Sequence, residues 1–445
     1  MVNSPIVNIF GKLNYALFLA LLIALPLPRM ILQPIAVAFI IAWVLELRFL
    51  PGASSRSNGR SGLRLEGSNF PFSIFHFPLA LPGLLLVGLT LWEAISLLWA
   101  PDTQAGLSII NRHWPFIILV LIPLFGFNEH YRTSKVLPVL FASCVASVPL
   151  YLFTYYWVWN YDAVIWFRPD LIRPFEFPTF HGITSLMKLR SYYCLVLMLS
   201  MLSTPLLYHQ YIKRYPRWEM LLTLGVANAV MLAGILMTGS RSALLLLALT
   251  SAFLLFVNYR KRLRWYWSLL IVLAGLAIAI AAVVLNPRFS LLASTDIHSL
   301  NLSEASELNE PRPYLWATVL RHSDEYGLFG LGAGQHANFM LEQYREAGND
   351  YFLTQGFGPH SQYLSTWMCL GPLAVLLLLA VFVLIPRVYR GRARYSAHAV
   401  AFLFALSLLF DDLLERMDSI LIFLVWMLLL YIIETDPESC EKSCS

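Results

Sequence analysis

The 445-residue chain is poor in charged residues. Asp, Glu, Lys and Arg together make up 13% of it, about half of the roughly 25% typical of soluble proteins. This scarcity excludes a water-soluble enzyme and a disordered chain. The apolar runs are continuous and lack the alternation of a membrane β-strand, which excludes a transmembrane β-barrel.

Cysteine is also scarce, with five residues in the whole chain. Cys144, Cys194 and Cys369 fall in apolar segments, and Cys440 and Cys444 fall in the polar tail. None of them lies in a long polar loop, so no disulfide framework is indicated. The chain has neither a CxxC pair nor an HExxH motif. We therefore predict no zinc site and no cofactor.

Apolar residues dominate the chain, which is 58% hydrophobic and 14% aromatic. Because one membrane span takes about 20 apolar residues, this composition can supply about twelve spans. We predict an all-α polytopic membrane protein whose N-terminal apolar run is the first span and not a cleaved signal peptide. The predicted spans cover residues 13–27, 31–47, 78–99, 114–127, 136–157, 186–208, 220–237, 243–257, 266–285, 361–386, 398–410 and 420–433.

These spans divide the chain into three parts. Residues 1–285 hold the first nine spans, residues 286–360 form a long loop, and residues 361–445 hold the last three spans and a short tail. The loop is too long to be a mere connector. Pro313 suits the first turn of one helix within it. A second helical piece at 336–347 ends at Gly348, a typical C-terminal stop.

The basic residues of the short loops concentrate on one side of the predicted spans. By the charge rule for membrane proteins, that side is cytoplasmic, so both termini lie inside and the loop 286–360 faces outward. This predicts a multi-pass membrane protein with its long loop facing outward, into the periplasm. The basic side holds Arg56, Arg60, Arg64, Arg132, Lys135, Lys213, Arg214, Arg217, Arg260, Lys261, Arg262, Arg264, Arg387, Arg390, Arg392 and Arg394.

Arg241 follows a short outward turn between the seventh and eighth spans. Gly239 and Ser240 favour a sharp turn with exposed backbone N–H groups, and an arginine beside such groups suits a phosphate. Three more cations lie at outward span ends: Lys188, Arg190 and Arg288. Each of these side chains has an alternative interpretation as an interfacial anchor that snorkels toward water. Together they predict a site for an anionic lipid headgroup such as a pyrophosphate.

His360 follows the glycines of the string QGFGPH at the outer end of the tenth span. A neutral imidazole at that place can act as a general base on a hydroxyl. A structural histidine at the start of a helix is the alternative. His322 and His336 in the loop compete for the role of base, and we expect both to be solvated loop histidines.

Asp411 and Asp412 form an acidic pair in the outward turn after the eleventh span. Adjacent carboxylates suit metal binding or base catalysis, or they pair with the outward arginines, which we favour, or they are solvated. The first outward loop, Pro28-Arg29-Met30, contains no acid. A divalent metal is therefore not predicted.

Three strings in fixed order resemble a known family. TGSRSALLLLAL, then RPYLWATVL with GLFGLGAGQ, then GPHSQYLSTWMCLGPL are similar to the motifs of the O-antigen ligase and O-antigen polymerase superfamily. The resemblance extends over about residues 186–386, and the first five spans match only in number and spacing.

The resemblance implies a GT-C-like membrane glycosyltransferase that needs neither metal nor ATP. Its donor is an O-antigen glycan on undecaprenyl diphosphate, and its acceptor is a sugar hydroxyl of lipid A-core. No nucleic acid is involved. The expected chemistry is an inverting transfer in which His360 is the base. Arg190, Arg241 and Arg288 would hold the diphosphate, with Arg190 and Arg241 also catalytic, and Arg312 would bind phosphate or glycan. Lys188 departs from the family pattern as an extra cation nearby, and we expect it to bind the same substrate.

Three rival functions remain open from the sequence. A polymerase uses the same donor but a second polyprenyl-linked glycan as acceptor, and it often has two comparable outward loops, whereas one loop dominates here. A protein O-oligosaccharyltransferase often carries a larger C-terminal periplasmic part. A lipid-glycan transporter usually places ionisable groups at mid-membrane, whereas the cations here lie at the outward rim.

Overall fold

The computed structural model describes residues 5–48, 80–125, 131, 133–159, 190–212, 214–238, 240–259, 300–304 and 311–435. All regular structure within these ranges is helical. The α-helices are numbered α1 to α16 in chain order. They are α1 Pro5–Ala24, α2 Arg29–Arg48, α3 Ala80–Ser96, α4 Thr103–His113, α5 Ile118–Phe125, α6 Thr133–Trp159, α7 Arg190–Leu202, α8 Thr204–Tyr211, α9 Arg217–Met237, α10 Arg241–Tyr259, α11 Arg312–Arg321, α12 Gln335–Glu346, α13 Asp350–Gln355, α14 Gln362–Val388, α15 Gly391–Ser407 and α16 Met417–Thr435.

The helices confirm a multi-pass, all-helical membrane protein. Six helical stretches in the described ranges are long and apolar enough to cross a membrane, and four shorter apolar helices accompany them. Each of these ten overlaps a predicted span. The predicted span at 398–410 falls in α15, and the one at 266–285 lies outside the described residues. The count of twelve and the GT-C-like arrangement stay predictions.

The fourth span begins earlier in the chain than the predicted range 114–127. Helix α4 starts at Thr103 because the Asp102 side chain caps it, accepting hydrogen bonds from the backbone N–H groups of Gln104 and Ala105. A 3₁₀ turn, Trp114–Ile117, then joins α4 to α5. Because α4 carries several polar side chains, its start does not stand out in the sequence as an apolar run.

Helix α16 lies at the centre of the main hydrophobic core. Its residues from Asp418 to Ile433 are all buried, as expected for a helix that is apolar on every side. Phe423 packs edge-on against Phe404 of α15, with ring centroids 5.0 Å apart. Trp426 is 1% exposed. Helices α2, α5, α6, α7 and α15 pack around α16.

Helices α11, α12 and α13 form a module of the long loop with a second core. Tyr314, Leu315, Tyr344 and Phe352 pack together there and rest on Met368 of α14. The predicted helices at Pro313 and at 336–347 are confirmed, and Gly348 follows α12 with a φ of 64°. Helix α13 was not predicted.

The loop module and the basic cluster of residues 387–394 lie at opposite ends of α14. The module packs where α14 begins, and the arginines follow where it ends at Val388. Helix α14 is kinked at Gly371, where φ is 79°. Since an α-helix rises 1.5 Å per residue, its 27 residues separate the two ends by at most about 40 Å. The end that carries the module is called the site end below.

Candidate active site

The segment 357–362 is clamped between the loop module and the ends of two spans. Its Phe357 carbonyl accepts a hydrogen bond from the Tyr344 hydroxyl at 2.6 Å, and its Pro359 carbonyl accepts one from the Trp316 indole N–H at 2.9 Å. The Gln362 N–H donates to the Leu408 carbonyl at 2.9 Å. These bonds fix the backbone on both sides of His360.

His360 adopts a strained backbone conformation. Its φ is 51°, and it alone has a positive φ among the described residues other than glycine. Such a conformation costs about 1–3 kcal/mol and persists only where its surroundings enforce it. The hydrogen bonds on both sides of His360 enforce it. The strain is typical of a functional position.

The His360 imidazole is held in its neutral form. Burial and the positive charge of Arg312 lower its pKa to about 4, and Asp411 opposes them only in part. The ring packs beside Phe357, with centroids 5.7 Å apart, and its nitrogens have no hydrogen-bond partner within the described part of the chain. A neutral imidazole with a vacant nitrogen can accept a proton from a hydroxyl.

Asp411 and Asp412 lie in different surroundings. Asp412 is buried, and its Oδ1 accepts a hydrogen bond from the Ser365 hydroxyl at 2.8 Å. Burial and the neighbouring Glu415 raise the pKa of Asp412 to about 7. Its Oδ2 lies 3.6 Å from where a Cβ on Gly358 would be, so the carboxyl abuts the His360 segment. The described partner of Asp412 is therefore a serine on the first turn of α14, and its expected pairing with an outward arginine stays a prediction.

His336 is buried in an ion pair. Its Nε2 lies 3.1 Å from Oε2 of Glu415, and its Nδ1 lies 3.4 Å from the Cys369 sulfur. Burial alone would lower the pKa of His336, but the Glu415 carboxylate outweighs it and raises this pKa well above its ordinary value. The expectation of a solvated loop histidine is wrong here, and the protonated ring cannot serve as a base at neutral pH.

His322 lies away from this site. It follows the last residue of α11, where its Nδ1 is 2.8 Å from the Thr318 carbonyl. Arg312 begins the same helix, and ten residues of helix separate the two by about 15 Å. The described contacts of His322 cap a helix end.

A second buried pair, Glu93 with His113, was not predicted. Oε2 of Glu93 on α3 lies 2.7 Å from Nδ1 of His113 on α4, and the other ring nitrogen is 2.7 Å from the Leu414 carbonyl. Arg112 donates to the Glu415 carbonyl at 2.7 Å. Helices α3 and α4 are thereby tied to the turn 413–415 that carries Glu415.

The predicted phosphate cations fall largely outside the described residues. Lys188 and Arg288 lie outside them, and only the backbone of Arg190 and Arg241 is described. These two arginines are the first residues of α7 and α10. The Cys194 sulfur of α7 is 3.1 Å from the Thr238 hydroxyl at the end of α9. Tyr192 of α7 is within electrostatic reach of Asp411. The starts of α7 and α10 therefore lie at the site end.

No metal cluster is visible in the described ranges. No three His, Cys, Asp or Glu side chains there are grouped so that they could hold a metal ion. The absence of a metal from the reaction stays a prediction.

Comparison with known proteins agrees with the resemblance of the motifs. Residues 226–379 match the family model described as O-antigen ligase. No curated protein matches the chain. The matched region includes His360, Arg312, His336 and the start of α10, whereas Asp412 and Glu415 follow it. Residues 226–379 of this multi-pass membrane protein are therefore similar to the O-antigen ligase family, and this similarity supports a glycosyltransferase-like enzyme of the ligase and polymerase type.

Proposed function

We propose that the protein transfers O-antigen polysaccharide from undecaprenyl diphosphate to a sugar hydroxyl of lipid A-core. The single observation that carries this proposal is His360, a neutral imidazole held in a strained conformation beside Arg312. A base next to a cation suits a reaction in which a hydroxyl loses its proton while an anionic group departs.

In the proposed reaction, His360 takes the proton of the acceptor hydroxyl. The acceptor oxygen then forms a bond to the anomeric carbon, and the bond from that carbon to the diphosphate oxygen breaks. The diphosphate leaves with the bonding electrons, and the sugar inverts. The donor is already activated, so the reaction needs no ATP. Catalysis consists of accepting the proton and stabilising the leaving charge.

Donor binding would also prepare the base. Arg312 lowers the pKa of His360 because two positive charges repel each other. A bound diphosphate would offset this repulsion and raise the affinity of the ring for a proton. The base would therefore strengthen when the donor is in place.

The remaining cations are proposed to hold the diphosphate. Arg190 and Arg241 begin α7 and α10, and helix starts carry partial positive charge and exposed N–H groups that favour phosphate. Lys188 and Arg288 would add charge at the same end. Asp412 would help to position the His360 segment, because it is hydrogen-bonded to Ser365 and lies beside Gly358. No metal is assigned to Asp412.

The site end is proposed to face the periplasm of a bacterial inner membrane. The arginines at residues 387–394 lie at the other end of α14, which supports a cytoplasmic position for them. A thiol introduced at the exposed Ser303 should react with an impermeant reagent added outside the inner membrane, and one at the exposed Arg394 should react only from inside. The reverse pattern would overturn the orientation.

The proposed function is tested by reconstitution. Purified protein, lipid-linked O-antigen and lipid A-core should give lipopolysaccharide in the presence of a strong chelator and without nucleotide. Dependence on added magnesium would instead assign a metal role to Asp411 and Asp412. An O-antigen polymerase would elongate the lipid-linked glycan and leave lipid A-core unmodified, so the products separate the two activities.

A further inference from the structure

The glycine-rich turn before α12 exposes two large apolar side chains. Leu328 is 71% exposed and Phe329 is 58% exposed. They follow the charged residues Asp324 and Glu325, which are also exposed. Two adjacent large apolar side chains at the tip of a turn are unfavourable in water, since transferring apolar surface out of water stabilises a protein.

The backbone of this turn is locked onto α14. The Leu331 N–H donates to the Met368 carbonyl at 2.8 Å, and the Gly332 N–H donates to the Cys369 carbonyl at 2.9 Å. A Cβ on Gly371 would clash with the Leu328 carbonyl oxygen, so only glycine allows this close approach. The exposure of Leu328 and Phe329 is therefore a fixed feature of the turn.

Two tryptophans flank the exposed tip. The ring of Phe329 lies 5.9 Å from that of Trp92 and 6.2 Å from that of Trp99. Trp92 donates its indole N–H to the Leu370 carbonyl, and Trp99 donates to the Gly330 carbonyl, each at 3.1 Å. Tryptophans with an apolar face and a satisfied N–H are typical of the boundary between acyl chains and headgroups.

The tip is continuous with the lipid-facing surface of two apolar helices. On one side, Leu91 and Ile95 of α3 and the following Leu98 are exposed. On the other side, Leu373 and Leu376 of α14 are exposed. In a multi-pass membrane protein such side chains face lipid, and the tip lies between the two helices at their site end.

We propose that Leu328 and Phe329 insert into the headgroup–acyl boundary of the bilayer leaflet at the site end. The insertion buries both side chains and fixes the turn at a defined depth. His336 and the loop module follow within a few residues, so the anchor sets their height above the acyl chains. This inference depends on the membrane character of the chain and not on the proposed transfer reaction.

The test is a depth measurement on the full chain in nanodiscs of phosphatidylethanolamine and phosphatidylglycerol without glycan lipids. Cys440 and Cys444 are first replaced by serine, and a fluorescent label is attached to Phe329→Cys. The matched controls are Glu342→Cys, exposed on α12, and Leu376→Cys, exposed on α14. The label is quenched either by iodide in water or by doxyl groups placed high on the lipid acyl chains.

The label at residue 329 should be quenched by the doxyl lipids and protected from iodide at least severalfold relative to residue 342. Quenching by iodide equal to that at residue 342 would overturn the proposal. Protection from both quenchers would also overturn it, because a protein surface such as a second copy of the chain would then cover the tip. Lipid quenching that appears only after lipid-linked donor is added would assign the tip to the substrate instead. Leu328→Cys repeats the measurement if the first variant does not fold.

Discussion

Two histidines at the site end lie in opposite electrostatic surroundings. His360 lies beside the cation Arg312, and burial acts with that cation to keep the imidazole neutral. His336 lies beside the carboxylate of Glu415, which overcomes burial and keeps the imidazole charged. The backbone differs as well, because His360 has a positive φ whereas His336 is on the first turn of α12.

The difference shows that one residue type serves two purposes within a short stretch of chain. A charged, paired histidine fixes structure, since both of its nitrogens are engaged. A neutral histidine with a vacant nitrogen is available for proton transfer. Changing the charged neighbour of His360 should therefore alter the rate of transfer. Changing the charged neighbour of His336 should alter the stability of the protein.

The largest expected effect is the loss of transfer in His360→Gln. Removing a general base typically lowers the rate by about a hundred- to ten-thousandfold, whereas donor binding should persist because the cations provide it. A transfer assay and a donor-binding assay on the same preparation measure the two. His322→Gln is the matched control and should transfer normally. Near-normal transfer by His360→Gln would leave His360 as a structural residue only.

His336→Gln should instead reduce stability. Breaking a buried ion pair leaves an uncompensated charge and costs about 3–5 kcal/mol, so thermal unfolding in detergent should occur at a clearly lower temperature. Because the folded-state pKa of His336 is raised, its contribution is complete below the ordinary pKa and is lost only as pH rises through the folded value. The difference from wild type should therefore shrink at high pH. An unchanged unfolding temperature at pH 6 would show that the pair is not charged.

Local patterns predicted the features of this molecule that depend on neighbours in the sequence. Continuous apolar runs indicated where ten apolar helices of the described ranges lie, and Pro313 and Gly348 marked helix ends in the loop. The string around His360 drew attention to it through its glycines. Its low pKa was not predictable, because that pKa depends on burial in the folded protein and on Arg312, which is 48 residues away in the chain.

The sequence did not predict which buried acid pairs with which histidine. Glu415 meets His336 only because the loop module packs against the turn 413–415, and Glu93 meets His113 only because α3 packs against α4. One signal was present for the second pair: Glu93 is an acid within the apolar run of α3, and such an acid needs a buried partner. The partner itself follows from packing alone.

Asp412→Asn should change how stability depends on pH. The folded-state pKa of Asp412 is raised to about 7, so the folded protein binds more protons than the unfolded chain between about pH 4 and pH 7. Wild-type stability should therefore fall as the pH rises through that window. Asparagine keeps the shape of the side chain but does not titrate, so the variant lacks this part of the decline in stability. Thermal unfolding of both proteins at pH 5 and pH 8 measures it, and equal slopes would contradict the shifted pKa.

The smallest and most specific effect is expected for Arg312→Gln. The pH dependence of kcat/KM reports the free enzyme, so the wild-type rate should fall only near pH 4, where His360 becomes protonated. Removing the Arg312 charge favours the imidazolium, and the acid limb should move up by about one unit, the size of effect that a single nearby charge commonly has. Any loss of donor affinity changes the height of the profile and not the position of its limb. Arg321→Gln, on the same helix but bonded to the Leu300 carbonyl, should leave the limb in place. If the limb stays near pH 4 in Arg312→Gln, then burial alone keeps His360 neutral, and donor binding cannot strengthen the base by offsetting Arg312.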